Sequence, residues 1–143
     1  KRIILEKFTR HGNAVLLGTA SFWEGVDVRG STLSCVIIDK LPFAAPDDPL
    51  LQAKMQDCQM QGKDPFAHIQ LPQAVIALKQ GVGRLIRGKN DGGIVVIGDS
   101  RVHYQSYSRQ IMQALPHYPS TSDRQSALSF IESRPRSSLR NCG

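Results

Sequence analysis

Three short apolar runs, at residues 14–17, 35–38 and 94–97, do most to limit the fold open to this chain. Each is four residues long and each gives way to polar or glycine-containing residues: Gly18-Thr19, Asp39-Lys40 and Gly98-Asp99-Ser100. Continuous apolar runs of this length read as buried strands of a parallel sheet. Between and around them lie segments of helical periodicity. Residues 1–9 place Ile3, Ile4 and Phe8 on one side. Residues 49–60 are entered through Asp47-Asp48 as a cap, with Pro49 in the first turn. Residues 71–87 turn Ala74, Val75, Leu78, Val82 and Ile86 toward a core, and a fourth segment, 103–115, stops at Pro116. Strands alternating with helices predict an α/β fold, a parallel sheet flanked by helices, with functional loops at the strand C-termini.

A length of 143 residues allows one domain with a real core. With 41% apolar and 21% charged residues the composition is that of a globular protein, and the net charge of +6 favours a polyanionic partner. Cys35, Cys58 and Cys142 form no C-x-x-C pair, and the four histidines show no ligand spacing, so no metal site is expected. No run is long enough to span a bilayer and no signal peptide is visible, which predicts a cytosolic protein with no membrane partner. A start without Met predicts a piece of a longer protein. Beyond Pro116 the composition shifts to Pro, Ser and Thr, so residues 116–143 read as a flexible C-terminal tail with one short helix at 126–133.

Residues 80–87, Gln-Gly-Val-Gly-Arg-Leu-Ile-Arg, carry the strongest chemical signal. A helix through them puts Gln80, Arg84 and Arg87 at i, i+4 and i+7, on one face. Two adjacent guanidiniums repel unless an anion lies between them, and their forks match phosphate oxygens two at a time. Such a face suits charge developing on a phosphoryl group, the task of an arginine finger. A solvated basic face would have little use for Gly81 and Gly83, each of which costs a helix interior about 1 kcal/mol against Ala; close backbone approach accounts for them better.

Residues 18–30 follow the first apolar run and gather two hydroxyls, two aromatics, two carboxylates and three glycines. Thr19 and Ser21 can donate to phosphate oxygens without charge, which suits a nucleic-acid strand that slides. Glu24 and Asp27 can accept from ribose hydroxyls or from an arginine across a site. Trp23 either stacks on a base or packs between layers. The proline-punctuated loop at residues 41–49 is a fixed turn into the next helix, yet its Phe43 is an aromatic available to a base or a partner. Residues 83–89 imitate the phosphate-loop pattern G-x-x-x-x-G-K, but Asn90 replaces the Ser/Thr that would hold magnesium. The segment also ends a helix instead of opening one. Residues 88–93 therefore read as a helix stop and a tight turn.

Together these blocks resemble motifs V and VI of superfamily 2 helicases, in the variant of the XPD/DinG branch. Motif V there carries E-G-x-D, matched at Glu24-Gly25-Val26-Asp27, and motif VI reads Q-x-x-G-R-x-I-R, matched from Gln80 to Arg87. The Leu41-Pro42-Phe43 loop and Asp99-Ser100-Arg101 match as well, and within the branch the pattern is nearest to a bacterial DinG-like helicase. The resemblance covers residues 1–115 and implies a RecA-like P-loop NTPase fold, of which this is the C-terminal part of the second motor lobe. It implies Arg87 as the arginine finger, Arg84 as its neighbour on the ATP phosphates and Gln80 as the residue orienting the nucleophilic water or γ-phosphate. Glu24, Gly25, Asp27 and Gly83 would serve the nucleotide side, and Thr19, Ser21, Trp23 and Phe43 the DNA. Asp99 and Arg101 would brace the motor face.

ATP and Mg2+ would be held mainly by another lobe, and a 4Fe-4S cluster, if present, would lie in a region outside this chain. Implied partners are single-stranded or forked DNA and the chi subunit of the DNA polymerase III holoenzyme, in the bacterial cytoplasm on nucleoid DNA, in repair or replication. Two rivals stand beside this ATP-dependent helicase. One is a non-catalytic module binding DNA or a replisome protein through its basic surface and tail. The other is a stand-alone ATPase using residues 83–89.

Overall fold

The computed structural model describes residues 2–19, 33–85 and 92–133. Its elements are α1 (Arg2–His11), β1 (Cys35–Ile38), α2 (Pro49–Met60), a π-helical turn (Phe66–Gln70), α3 (Leu71–Val82), β2 (Ile94–Ile97), α4 (Arg101–Tyr104), α5 (Ser108–Ala114) and α6 (Arg124–Ser133). The fold is α/β. Among the described residues the sheet has two strands, β1 and β2. Ser34 O accepts from Ile94 N at 3.0 Å and Ile38 O from Gly98 N at 2.8 Å. The constant offset between these pairs makes the strands parallel, as the apolar runs predicted.

The chain divides into two compact units, one of Lys1–Ile37, Gly81–Val96 and His117–Gly143, the other of Ile38–Gln80 and Ile97–Pro116. In the second unit the buried apolar side chains are Ile38, Leu41, Leu51, Cys58, Leu71, Ala74, Leu78, Val102 and Ile111. Leu41 comes from the loop after β1 and the others from β1, α2, α3, α4 and α5; in α3 the spacing of Leu71, Ala74 and Leu78 decided which face turned inward. Helix α2 starts as its sequence demands: Asp48 Oδ1 accepts from Leu50 N at 2.8 Å and Leu51 N at 3.2 Å, with Pro49 inside the first turn. It stops at Gly62, whose φ of +72° lets its N–H return to Gln59 O at 2.9 Å. Gln70 Nε2 donates to Met55 Sδ at 3.2 Å and ties the π-turn to α2.

In the first unit Val82 and Leu85 are buried. Gly93 stands hard against the Ser34 carbonyl, with room for no side chain: a Cβ there would also come within 2.8 Å of Leu85 Cδ1. Helix α6 opens on Asp123, whose carboxylate accepts from Ser126 N at 2.8 Å and Gln125 N at 3.3 Å. It covers the short helix expected at 126–133 and extends it by two residues at the start.

Several expectations change. Residues 14–17 form no strand, and Val15 and Leu17 are 86% and 88% exposed. An apolar run becomes a strand only where a neighbour takes up its N–H and C=O groups, and the described sheet pairs β1 with β2 alone. The two strands are not sealed on both faces either, since Ile37 in β1 and Val96 in β2 lie exposed. The segment expected as one helix over 103–115 is α4 and α5, broken at Gln105, whose extended backbone (ψ 151°) cannot continue a helix. The helix expected over 71–87 ends at Val82. The last two residues of that span, and the tight turn expected after it up to Asp91, lie outside the described residues.

Candidate functional site

The most tightly built constellation lies in the second unit, where the chain leaves β1 and β2. Past β2, Asp99 turns the backbone with its own side chain: Oδ1 accepts from Arg101 N at 3.0 Å, an Asx turn that opens α4. Oδ2 accepts from Leu41 N at 2.8 Å, from a residue 58 positions away on the loop after β1. Arg101 then folds back on the same carboxylate. Its Nε lies 2.9 Å from Oδ1 and 3.0 Å from Oδ2, and its Nη2 2.6 Å from Oδ2.

The Asp99 side chain is 7% exposed and that of Arg101 42%. The Arg101 hydrogen bonds hold the Asp99 carboxyl well below the usual carboxylate range, outweighing the burial that pushes it up, with the Leu41 and Arg101 backbone N–H groups adding to the effect. The same bonds push the Arg101 guanidinium above its ordinary value. A carboxylate so held has no proton to exchange near neutral pH. Asp99 therefore acts as a fastener between two loops and not as a general acid or base.

The outer part of Arg101 covers an aromatic cluster. Its Cζ lies 5.2 Å from the Phe43 ring centroid, a cation–π distance. Phe43 meets Phe66 at 5.6 Å and Tyr107 edge-on at 5.8 Å, and Phe66 and Tyr107 lie 5.1 Å apart. Phe66 comes from the π-turn and Tyr107 from the break between α4 and α5, so both departures from regular α-helix deliver a ring to the cluster. Phe43, read from sequence as an aromatic available to a base, is half-buried among these groups. Sequence reasoning named Asp99, Arg101 and Phe43 but missed Phe66, Tyr107 and the Leu41 tie. The Asp-x-Arg spacing is visible in sequence; a hydrogen bond spanning 58 residues is not.

The basic segment at residues 80–87 is described only in part. Gln80 lies exposed near the end of α3. Beyond Val82 the chain tightens: Arg84 N donates to Gly81 O at 3.2 Å and Leu85 N to Val82 O at 3.0 Å, three-residue spacings in place of four. The α-helical register that set Gln80 and Arg84 on one face therefore stops before Arg84, because Gly81 and Gly83 weaken the helix there. Gly83 is exposed in this turn and Arg84 half-buried. Thr19 is exposed in a stretch without regular structure. Ser21, Trp23, Glu24, Gly25, Asp27 and Arg87 lie outside the described residues. Among the described residues no three His, Cys, Asp or Glu side chains gather as metal ligands. The three cysteines of the chain are fewer than the four thiolates of a 4Fe-4S cluster. No described helix is long and apolar enough to cross a membrane.

Comparison with known proteins gives the geometry its context. Residues 1–118 match the family model described as helicase C-terminal domain. The chain is 56% identical over 128 residues to the ATP-dependent DNA helicase YoaA of Escherichia coli K12, covering 90% of this chain and 20% of that protein. It is 52% identical to the YoaA of Haemophilus influenzae over 131 residues, 92% of this chain and 20% of the relative. It is 43% identical over 113 residues to a Bacillus subtilis protein named 3'-5' exonuclease DinG, covering 79% of this chain and 12% of that one. The chain thus spans a fifth or less of the length of these curated relatives.

Proposed function

Since this chain belongs to the helicase C-terminal domain family, in its DinG/XPD-like branch, we propose that it supplies the second-lobe half of the ATP site of a DNA helicase that moves along single-stranded DNA. The observation that carries the reading is the match over residues 1–118 to helicase sequences, within which Gln80, Gly83, Arg84 and Arg87 stand in the order of the arginine-finger motif.

In this reading ATP and Mg2+ are held mainly by another lobe, and closure of the cleft brings Arg84 and Arg87 to the phosphates as charge builds on them. Gln80 orients the attacking water, and Gly83 admits the backbone close to the nucleotide. Glu24, Gly25 and Asp27 couple nucleotide state to the DNA. Thr19 and Ser21 contact the sugar–phosphate chain, with Trp23 and Phe43 on the base side. Phe43 serves there through the cluster it anchors, since its ring is already engaged. The protein would work in repair or replication on nucleoid DNA in the bacterial cytoplasm.

Replacing Arg87 by Ala in the helicase that contains this chain is expected to lower ATP turnover by about 10³-fold while single-stranded DNA binding survives. Turnover within a few-fold of the parent protein would overturn the assignment.

A second role favoured by a specific observation is docking through α6, where Leu128, Phe130 and Ile131 are 39%, 51% and 38% exposed. The chi subunit of the DNA polymerase III holoenzyme is the partner this reading names. Removing residues 116–143 should abolish that binding; retention of it would make the segment a linker.

A further inference from the structure

Arg101 is held on one edge and open on the other. Its Nε and Nη2 are bound to Asp99, its face lies over Phe43, and its side chain is still 42% exposed. A guanidinium has five N–H donors; those on Nη1 meet no acceptor among the described residues, so a rotamer fixed by a buried carboxylate presents a ready edge to an oxyanion. Three residues on, in the same short helix, Tyr104 is 83% exposed, its ring set edge-on to His103 at 6.2 Å. Spacing of i, i+3 in α4 puts Arg101 and Tyr104 on neighbouring ground of one face.

A fixed guanidinium beside an open aromatic ring is the pairing that takes a phosphate and a stacked base. Lys40 adds a cation just before Leu41, whose N–H is bonded to Asp99, but Asp39 beside it opposes that charge. The edge is therefore no general basic field, and recognition there falls to the fixed fork and the ring. We propose that Arg101 and Tyr104 form a contact for single-stranded DNA, Arg101 taking a phosphate and Tyr104 stacking on an unpaired base. A duplex hides its base faces, so the site selects single strands. The proposal rests on the helicase reading above and adds two residues to its DNA track.

The test uses the full-length helicase and a fluorescein-labelled oligothymidylate, read by anisotropy. Tyr104→Ala should weaken binding about tenfold, the scale of one stacked base, and Tyr104→Phe, which keeps the ring, should bind as the parent does. Arg101→Lys, which leaves Asp99 a cation but no fork, should weaken binding several-fold. An oligonucleotide carrying 5-iodouracil should crosslink to Tyr104 under long-wave ultraviolet light. If Tyr104→Ala binds as tightly as the parent, or only lowers the melting temperature because another part of the protein covers the ring, the inference fails while the helicase reading stands. If the parent itself binds no single-stranded DNA, both fail.

Discussion

Asp99→Asn is the sharpest probe of how the described chain holds together. The native carboxylate accepts from Leu41 N at 2.8 Å, from Arg101 N at 3.0 Å, and from the Arg101 guanidinium at 2.6–3.0 Å, at 7% exposure. Asparagine keeps the shape and one carbonyl oxygen, but turns an amide with two donors toward groups that are themselves donors. Either the Leu41 N–H or the guanidinium then loses its acceptor. A buried N–H left unpaired costs about 1–3 kcal/mol, and a hydrogen bond to a charged group is worth about 1.5–3. Breaking a fully buried pair costs about 3–5 kcal/mol. Arg101 is 42% exposed and can turn to water, which brings the expected loss to about 3 kcal/mol.

Urea unfolding followed by circular dichroism at pH 7 measures this directly, and the pH dependence tests its cause. Because the Asp99 pKa is lowered on folding, the unfolded chain binds more protons through the acid range and stability rises with pH there. The contribution is complete above the ordinary carboxylate value of about 4 and is lost as pH falls below it toward the native value. The gap between parent and Asp99→Asn should thus be constant from pH 6 to 8 and close as pH drops below about 4. A gap under 0.5 kcal/mol at pH 7, or one that widens in acid, would refute the reasoning.

Two further perturbations test local structure. Asp48→Ala removes the side-chain acceptor of the first N–H groups of α2 and should cost about 1 kcal/mol in the same unfolding assay, with Asp48→Asn close to the parent. Gly93→Ala drives a methyl into the Ser34 carbonyl and toward Leu85 Cδ1, so it should cost about 1–3 kcal/mol by thermal melting; an unchanged melting temperature would mean that the strand edge yields freely.

Much of this molecule could be read from local sequence because the forces involved are local. β1, β2, the start of α2 and the buried face of α3 follow from four-residue apolar runs, a capping Asp before Pro49, and the spacing of Ala74, Leu78 and Val82. Membership of the helicase family was equally legible, since the motif residues lie in contiguous blocks that sequence order preserves. What failed was whatever needed a partner. Residues 14–17 are apolar enough for a strand but pair with nothing in the described sheet. The helix read through to Arg87 stops at Val82, where two glycines leave it to three-residue hydrogen bonds.

The site divides along the same line. Sequence by itself determined that a carboxylate and a guanidinium would stand two residues apart after β2, and that an aromatic would sit two residues past Leu41. Only the tertiary structure decided that Asp99 would bond the Leu41 N–H across 58 residues, that Phe66 and Tyr107 would close around Phe43, and that Tyr104, three residues after Arg101, would be left exposed. The physical reason is that spacing along a chain fixes which face of one element a residue occupies. Which distant donor or ring meets that face depends on how the elements pack.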